Sequence, residues 1–279
     1  MLAVGGTNFD IIVAAERLPE EHEKLRGNAY AARPGGSAAN TALGLARQGC
    51  EVRLVSAVGD DVLGRLCLQD LRAGGIDTSL IHLDTSAQTS MAIVLSSGTG
   101  KRMMTFAGAD RDLAIKAVTE HDVRDVDHVH VVGEPSLSLT RVVDLARRTG
   151  RSVSVEWNGR DMSSLAWDVQ LNLMNADEAR RLPGALVDDD AGTARRYAER
   201  LSGDVILTVG SRGAVWASAA GEVFHEPTEA VEPVDRTGGG DAFNAGVIAA
   251  WLHGEPPTAC MRRGLDAALH VISRIGAHP

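Results

Sequence analysis

The sequence predicts an α/β fold in which helices cover both faces of a mostly parallel sheet. Short apolar runs typical of buried strands alternate with longer segments of helical spacing along most of the chain. Glycine is abundant, with 30 of 279 residues, and many glycines form pairs or triplets between these segments. Hydrophobic residues make up 44% and charged residues 23%, an ordinary globular composition that excludes a disordered chain. The length fits one large domain.

Predicted strands and helices alternate from the N-terminus onward. Residues 2–6 are predicted as a buried strand, and residues 38–48 as a helix that ends at Gly49. A strand at 51–58 and a helix at 61–73 follow. The alternation resumes further on, with strands at 128–132, 152–156, 171–174 and 205–209 and helices at 139–149, 191–201, 241–252 and 257–274. Because strands joined through helices pair in parallel, this order predicts a parallel sheet.

Two segments interrupt the alternation, residues 10–32 and about 88–107. The second holds two short extended runs joined by the turn Ser97-Gly98-Thr99-Gly100, and it is predicted as a β-hairpin. Such a hairpin is either a lid or dimer contact or an edge extension of the main sheet. The pattern alone does not distinguish these alternatives.

Charge and cysteine content exclude several function classes. The formal net charge is −9, which disfavours nucleic acid as a partner because a negative protein repels phosphate backbones. Three widely spaced cysteines, Cys50, Cys67 and Cys260, disfavour a disulfide framework and a structural zinc site. The N-terminal segment is not of signal-peptide type, and the apolar runs are too short to span a bilayer. We therefore expect a cytoplasmic protein with no membrane partner.

The strongest local feature is the segment Asp235-Arg-Thr-Gly-Gly-Gly-Asp241, which an apolar helix follows directly. Gly238, Gly239 and Gly240 expose successive backbone N–H groups, and the helix start adds further donors, which together predict an anion cradle for a phosphoryl group. Asp241 lies at the mouth of this cradle. It is either a base that accepts a proton from an attacking hydroxyl or a helix N-cap, and composition leaves the two interpretations equal.

A second glycine-rich segment, Gly35-Gly36-Ser-Ala-Ala-Asn40, follows the same logic. A glycine turn opens a helix and places the polar side chain of Asn40 on its first turn. Neither segment matches GxGxxG or GxxxxGK[ST]. A Rossmann dehydrogenase and a P-loop nucleotide hydrolase are therefore unsupported.

On these two segments the chain resembles the ribokinase-like (PfkB) carbohydrate kinase family. Gly35 to Asn40, with Ala42, Gly49 and Gly59, fits one family signature, and Asp235 to Asp241 fits the other, D-T-x-G-A-G-D. The resemblance covers nearly the whole chain. It implies one domain over 1–279, a ribokinase-like three-layer sandwich with a mostly parallel sheet and a small β lid from about 10–32 and 88–107.

The resemblance also implies roles for individual residues. Asp241 would be the catalytic base and Gly238, Gly239 and Gly240 the anion hole. The acceptor would be bound by Asn8, Asp10, Gly35, Gly36, Asn40 and Glu134. ATP and Mg²⁺ would be held by Asn175, Glu178, Thr208, Ser211 and Gly213, with Glu178 reaching the metal through water. Glu156-Trp-Asn158-Gly-Arg160 resembles the D-P-N-x-R of many sugar kinases.

Each of these residues also has a purely structural interpretation. Asn8 could cap a turn, Asp10 could be a solvated lid residue, Glu178 a helix-surface carboxylate and Arg160 a salt-bridge partner. What favours the functional interpretation is their joint order along the chain.

Three positions depart from the family pattern. Arg236 stands where a threonine or another small residue is usual, beside Asp235, which resembles a monovalent-cation ligand; we expect K⁺ activation to be weakened. Gly239 replaces a common alanine, and Glu156 replaces the usual aspartate.

The function that the resemblance implies is transfer of the γ-phosphate of MgATP to a hydroxymethyl group of a free sugar, such as ribose, fructose or a sugar acid. Glu134 is a hydrogen-bond acceptor rather than a cation, which disfavours a phosphosugar. Aromatic residues are 4% of the chain, which disfavours a nucleoside base, although a nucleoside kinase remains the main alternative. A non-catalytic sugar- or nucleotide-binding relative is the third possibility. The resemblance also implies a homodimer through the lid.

Overall fold

The computed structural model describes residues 1–97, 100–133, 136–158, 167–181, 189–229, 231 and 237–273. In chain order its strands are β1 (Leu2–Val4), β2 (Asn8–Ala14), β3 (Ala29–Gly35), β4 (Arg53–Gly59), β5 (Ile81–Asp84), β6 (Met91–Ser97), β7 (Gly100–Phe106), β8 (His128–Val132), β9 (Ser152–Glu156), β10 (Leu171–Asn175), β11 (Asp204–Thr208), β12 (Ala214–Ala217) and β13 (Val223–Glu226). Its helices are α1 (Ser37–Arg47), α2 (Val62–Ala73), α3 (Arg111–Ala117), α4 (Glu120–Arg124), α5 (Leu137–Arg148), α6 (Ala176–Arg181), α7 (Asp190–Leu201), α8 (Gly239–Leu252) and α9 (Pro257–Ile272). None of these helices has both the length and the apolar character needed to cross a bilayer.

Nine strands of the described residues form the larger sheet, in the order β13-β12-β11-β10-β9-β8-β1-β4-β5. The strands from β11 to β5 pair in parallel, and β12 and β13 add an antiparallel edge. The predicted mostly parallel sheet is therefore confirmed. Sequence analysis does not predict β5, β12 and β13, because each has four residues and too short an apolar run.

Side chains of the sheet alternate between two hydrophobic cores, one on each face. In β1, Leu2 and Val4 join the core formed with α5 and α7, whereas Ala3 joins the core formed with α1, α8 and α9. Because both faces are covered, the central strands are buried at almost every position, polar residues included. This arrangement is the predicted sandwich of helices, sheet and helices.

A separate sheet of four strands has the order β3-β2-β6-β7. β6 and β7 form the predicted hairpin, and β2 pairs in parallel with β6 and antiparallel with β3. The hairpin is thus no edge extension of the larger sheet. Residues 98 and 99 of the predicted turn lie outside the described residues. One side of this four-stranded sheet packs on α2 through Phe9 and Cys67, while Tyr30 and Met103 are exposed.

Two histidines and two serines form a buried polar network between β8 and β9. His128 lies 2.8 Å from Ser152 Oγ through Nδ1 and 2.7 Å from Ser154 Oγ through Nε2. His130 Nδ1 lies 2.8 Å from the same Ser154 Oγ. Burial lowers the pKa of both histidines to about 3, so both are neutral in the folded protein.

Candidate active site

The two glycine-rich segments meet at the edge of the larger sheet where its parallel strands end. Gly36 precedes α1 with a φ of +103°, and Gly238 precedes α8 with a φ of +77°. The two helices pack closely, since a β-carbon added at Gly44 of α1 would lie 2.6 Å from the β-carbon of Ala245 in α8. This packing brings together the first turns of two helices that lie at opposite ends of the sequence.

Asn40 and Asp241 contact each other across this junction. Asn40 Nδ2 donates a hydrogen bond of 2.7 Å to Asp241 Oδ2, between buried residues 201 positions apart. The other polar atom of the amide, Asn40 Oδ1, is buried and has no hydrogen-bond partner in the described residues. An amide with one end fixed and the other open can accept a hydrogen bond from a ligand.

Asp241 is the third residue of α8, and Gly238 is the N-cap, with no side-chain capping bond. The N-cap interpretation of Asp241 is therefore not supported. Burial raises the pKa of Asp241 to about 6; hydrogen bonds from Asn40 and Ser37 lower it, and the charges of Asp10 and Glu178 raise it. A buried carboxylate with a pKa near neutrality can accept a proton at physiological pH.

The Gly35-Gly36 turn lies directly on β2. A β-carbon added at Gly35 would lie 2.1 Å from Asp10 Oδ2, and one added at Gly36 would lie 2.6 Å from the carbonyl oxygen of Gly6. Asn8 pairs with Gly35 in the strand register, and Asp10 is buried. The predicted acceptor residues Asn8, Asp10, Gly35, Gly36 and Asn40 are thus brought together, and the turn requires glycine for space as well as for its φ.

Asn175 and Glu178 are held together at the end of β10. The backbone N–H of Asn175 donates to Glu178 Oε2 at 3.0 Å, and the N–H of Glu178 donates to Asn175 Oδ1 at 2.8 Å. Burial raises the pKa of the Glu178 carboxyl. These bonds fix the Glu178 side chain, which lines a polar cavity of about 640 Å³ together with Thr208, Ser211 and Gly240.

An apolar cavity of about 250 Å³ adjoins the polar one and shares Thr208, Gly210, Ser211 and Gly240 with it. Its apolar wall comes from α8 and α9 and includes Phe243, Leu265, Leu269 and Ile272. Gly213, at the start of the β12–β13 hairpin, also lines it. A polar groove that continues into an apolar slot fits a phosphorylated ligand with an aromatic base.

Asn244, which sequence analysis missed, lies one turn after Asp241 in α8. Its Nδ2 donates to Glu156 Oε2 at 3.1 Å. Burial holds the pKa of Glu156 well above its usual range, and the charges of Asp241 and Glu178 raise it further. A polar residue within an otherwise apolar helix, three positions after a candidate base, is the signal that could have identified Asn244.

Some predicted residues cannot be placed in this site. Glu134, Arg160, Asp235 and the neighbouring Arg236 lie outside the described residues. Gly239 lies at the start of α8, and its departure from alanine has a packing reason. A β-carbon there would lie 2.7 Å from Ile272 Cγ2 of α9.

Comparison with known proteins gives consistent matches over the chain. The family model described as pfkB family carbohydrate kinase matches residues 1–279. The chain is 29% identical over 256 residues to an ATP-dependent ribose-1-phosphate kinase of Halopiger xanaduensis, over 90% of this chain and 84% of the relative. It is 31% identical over 269 residues to a ribokinase of Mus musculus, over 90% and 81%. The crystal structure of adenosine kinase from Sinorhizobium meliloti has a TM-score of 0.87 at 23% identity, over 100% of this chain and 95% of that chain, which shows a shared fold.

Proposed function

Because the chain belongs to the pfkB family of carbohydrate kinases, we propose that it transfers the γ-phosphate of ATP to a hydroxymethyl group of a free sugar or sugar acid. Its fold is ribokinase-like, and it is a phosphotransferase with a sugar or nucleoside alcohol as acceptor. The observation that carries the proposal is the buried Asn40–Asp241 hydrogen bond beside the glycine-rich start of α8.

The groove supports ATP as the phosphate donor. The polar cavity beside Glu178 and Gly240 would take the triphosphate, and the apolar cavity lined by Phe243 and Leu269 would take the adenine. A β-carbon added at Gly240 meets nothing within 4 Å, so its backbone is open to a ligand. The first N–H groups of α8 have no carbonyl partners within the helix and suit an anion.

The charges of the site fit a Mg²⁺ ion that accompanies ATP. Burial and the neighbouring Asp241 and Glu178 charges oppose ionisation of Glu156, and a divalent cation would relieve this repulsion. Among the described residues, no three Asp, Glu, His or Cys side chains are grouped to hold an ion directly. We propose that Glu178 holds the ion through water. When bound, Mg²⁺ neutralises charge on the triphosphate.

Asp241 would orient the acceptor hydroxyl and accept its proton as the oxygen attacks the γ-phosphorus. Asn40 fixes one carboxylate oxygen of Asp241 through its amide N–H. Asn8, Asp10 and the Gly35-Gly36 turn would bind the remaining hydroxyls of the acceptor. The four-stranded sheet would cover the acceptor as a lid and exclude water.

The first experiment measures ADP formation from MgATP with free sugars, sugar acids, sugar phosphates and nucleosides. In Asp241→Asn we expect turnover to fall by about 10²–10⁴ while ATP still binds. The matched control is Asp266→Asn, an exposed carboxylate of α9, which should leave turnover unchanged.

Full turnover by Asp241→Asn would show that the base is another group. A response to nucleosides alone would replace the sugar acceptor with the nucleoside alternative. ATP binding without turnover on any acceptor would favour a non-catalytic binding protein.

We also propose a homodimer formed through the four-stranded sheet. The sheet exposes large apolar residues on both faces, with Tyr30 79% and Phe106 48% exposed on the face that carries Phe9, and Met103 60% exposed on the opposite face. Light scattering that gives the mass of one chain at micromolar concentration would contradict the dimer.

For the monovalent cation, saturable activation of the kinase by K⁺ would contradict the weakened activation that we expect from Arg236.

A further inference from the structure

Arg111, the first residue of α3, lies over two glycines at the edge of the larger sheet. A β-carbon added at Gly6 would lie 3.6 Å from Nη1 of Arg111, and one added at Gly133 would lie 3.5 Å from Nη2. Gly6 follows β1 and Gly133 follows β8, and these strands are neighbours in the sheet. The guanidinium therefore lies where the parallel strands end, on the same edge as Asp241 and Glu178.

This position is beside the acceptor residues. The point that a β-carbon of Gly6 would occupy lies 3.8 Å from Asn8 Oδ1 as well as 3.6 Å from Arg111. The carbonyl oxygen of the same Gly6 lies against Gly36. Arg111 thus lies near Asn8 and the glycine turn, on the side of the site where Asn40 and Asp241 meet.

The guanidinium of Arg111 has no protein partner among the described residues. Its two acidic neighbours in sequence are engaged elsewhere. Asp110 accepts the N–H of Asp112 at the start of α3, and Asp112 forms an ion pair of 2.7 Å with Lys116. Arg111 is partly buried, and a partly buried cation is usually paired with an anion. An anionic ligand bound in this position would supply such a partner.

We propose that the acceptor carries an oxyanion, a carboxylate or a phosphate, and that Arg111 binds it; this rests on the kinase function proposed above. The charged groups beside the acceptor residues, Asp10 and Asp241, are acidic and would repel such an acceptor. Arg180, Arg181 and Arg212 line the cavity assigned to the triphosphate. A neutral sugar would need no cation here. A guanidinium offers several N–H donors in a planar fork that matches both carboxylate and phosphate.

The test uses pairs of acceptors that differ in one anionic group and keep a free hydroxymethyl group. The pairs are gluconate with glucitol, ribose 1-phosphate with ribose, and fructose 6-phosphate with fructose. We expect the anionic member of at least one pair to have the higher kcat/KM. The first pair identifies a carboxylate and the other two a phosphate as the recognised group.

In Arg111→Gln, kcat/KM for the anionic acceptor should fall roughly 10- to 100-fold, because a charge-assisted hydrogen bond is lost. The neutral partner of the pair should be little affected, and Arg111→Lys should restore part of the loss. The control is Arg148→Gln, which removes an exposed positive charge from the last turn of α5. Equal losses for both members of a pair, or a preference for the neutral member in the wild type, would overturn the proposal.

If no acceptor supports ADP formation, the proposed function fails, and the role of Arg111 is then decided by binding. Calorimetry of the wild type and Arg111→Gln with each pair, without ATP, measures this directly. Tighter binding of an anionic acceptor that is lost in Arg111→Gln would support the role of Arg111. Equal binding within every pair would overturn it.

Discussion

Burial raises the pKa of Asp241 to about 6, and the hydrogen bonds from Asn40 and Ser37 lower it. A base must be ionised to accept a proton, so kcat/KM should be lost as the pH falls through about 6, close to tenfold per pH unit below it. Asn40→Ala removes a bond that favours the ionised form. We expect the acidic limb of the profile to move to higher pH in this variant.

The measurement is kcat/KM against pH for the wild type and Asn40→Ala. A lower rate with an unmoved limb would mean that Asn40 contacts only the acceptor. A profile with no acidic limb between pH 5 and 7 would mean that Asp241 does not act as a base in the rate-limiting step.

At the scale of residues, the sequence predicts most of the polar groups that meet in the site, because Asp241, Asn40 and Asp10 lie in segments of recognisable order. It does not predict Arg111 or Asn244. Arg111 lies among other charged residues in a short helix, and only the fold places its guanidinium over Gly6 and Gly133. Distances between strands that are far apart in sequence cannot be read from local patterns.

The turn at Gly35-Gly36 joins the four-stranded sheet to α1, and its lack of side chains allows it to lie on Asp10. In Gly35→Ala the added methyl group would lie 2.1 Å from Asp10 Oδ2 and would displace the carboxylate. We expect kcat/KM for the acceptor to fall on the order of 10²-fold, since misplacement by about 1 Å can cost that much. The KM for ATP should be unchanged.

Gly221→Ala is the matched control for this turn. It adds the same methyl group between β12 and β13, at a φ of +92° with nothing within 4 Å. Because alanine is strained at this φ, the variant should lower the free energy of unfolding by about 1 kcal/mol or more without changing kcat/KM for the acceptor. An unchanged kcat/KM for the acceptor in Gly35→Ala would contradict the prediction that Asp10 contacts the acceptor.

At the scale of elements, the predicted strands and helices of the larger sheet are found with bounds that differ by a few residues. What the sequence leaves open is which strands pair. The hairpin of β6 and β7 has no local feature that selects β2 as its partner, because the pairing joins residues far apart in sequence, such as Phe9 and Met91. The strands β12 and β13 are too short to be predicted from their own sequence, and they are defined by pairing onto the edge of β11.

The buried histidines make the stability of the whole molecule depend on pH. Their pKa is about 3 when folded, whereas an unfolded histidine has its ordinary pKa near 6.5. As the pH falls, these histidines are therefore protonated in the unfolded chain before they are protonated in the folded protein. The contribution of the two neutral histidines to the free energy of unfolding is fully present above pH 6.5. It is lost as the pH falls from 6.5 toward 3, at roughly 1.4 kcal/mol per pH unit for each histidine.

The free energy of unfolding in urea at pH 7 and pH 5 tests this prediction. His130→Gln removes one histidine, so the loss on acidification should be smaller than in the wild type. Gln69→Ala, at an exposed position of α2 that carries no titrating group, should leave it unchanged. The raised pKa values of Asp241 and Glu156 act in the opposite direction in every protein compared, so differences between variants isolate the histidine. Equal losses in all three would contradict the prediction.

The hydrogen bond between Asn40 and Asp241 has a consequence for how the enzyme matures. A growing chain on the ribosome can complete the early strands and α1 while α8 is still unmade, and at that stage the amide of Asn40 has no carboxylate to hold. In the mechanism proposed above, the base Asp241 and the amide of Asn40 come into contact only when α8 docks on α1. We therefore expect a partly synthesised or C-terminally clipped chain that lacks α8 to have no kinase activity, and only molecules in which Asn40 contacts Asp241 to be active.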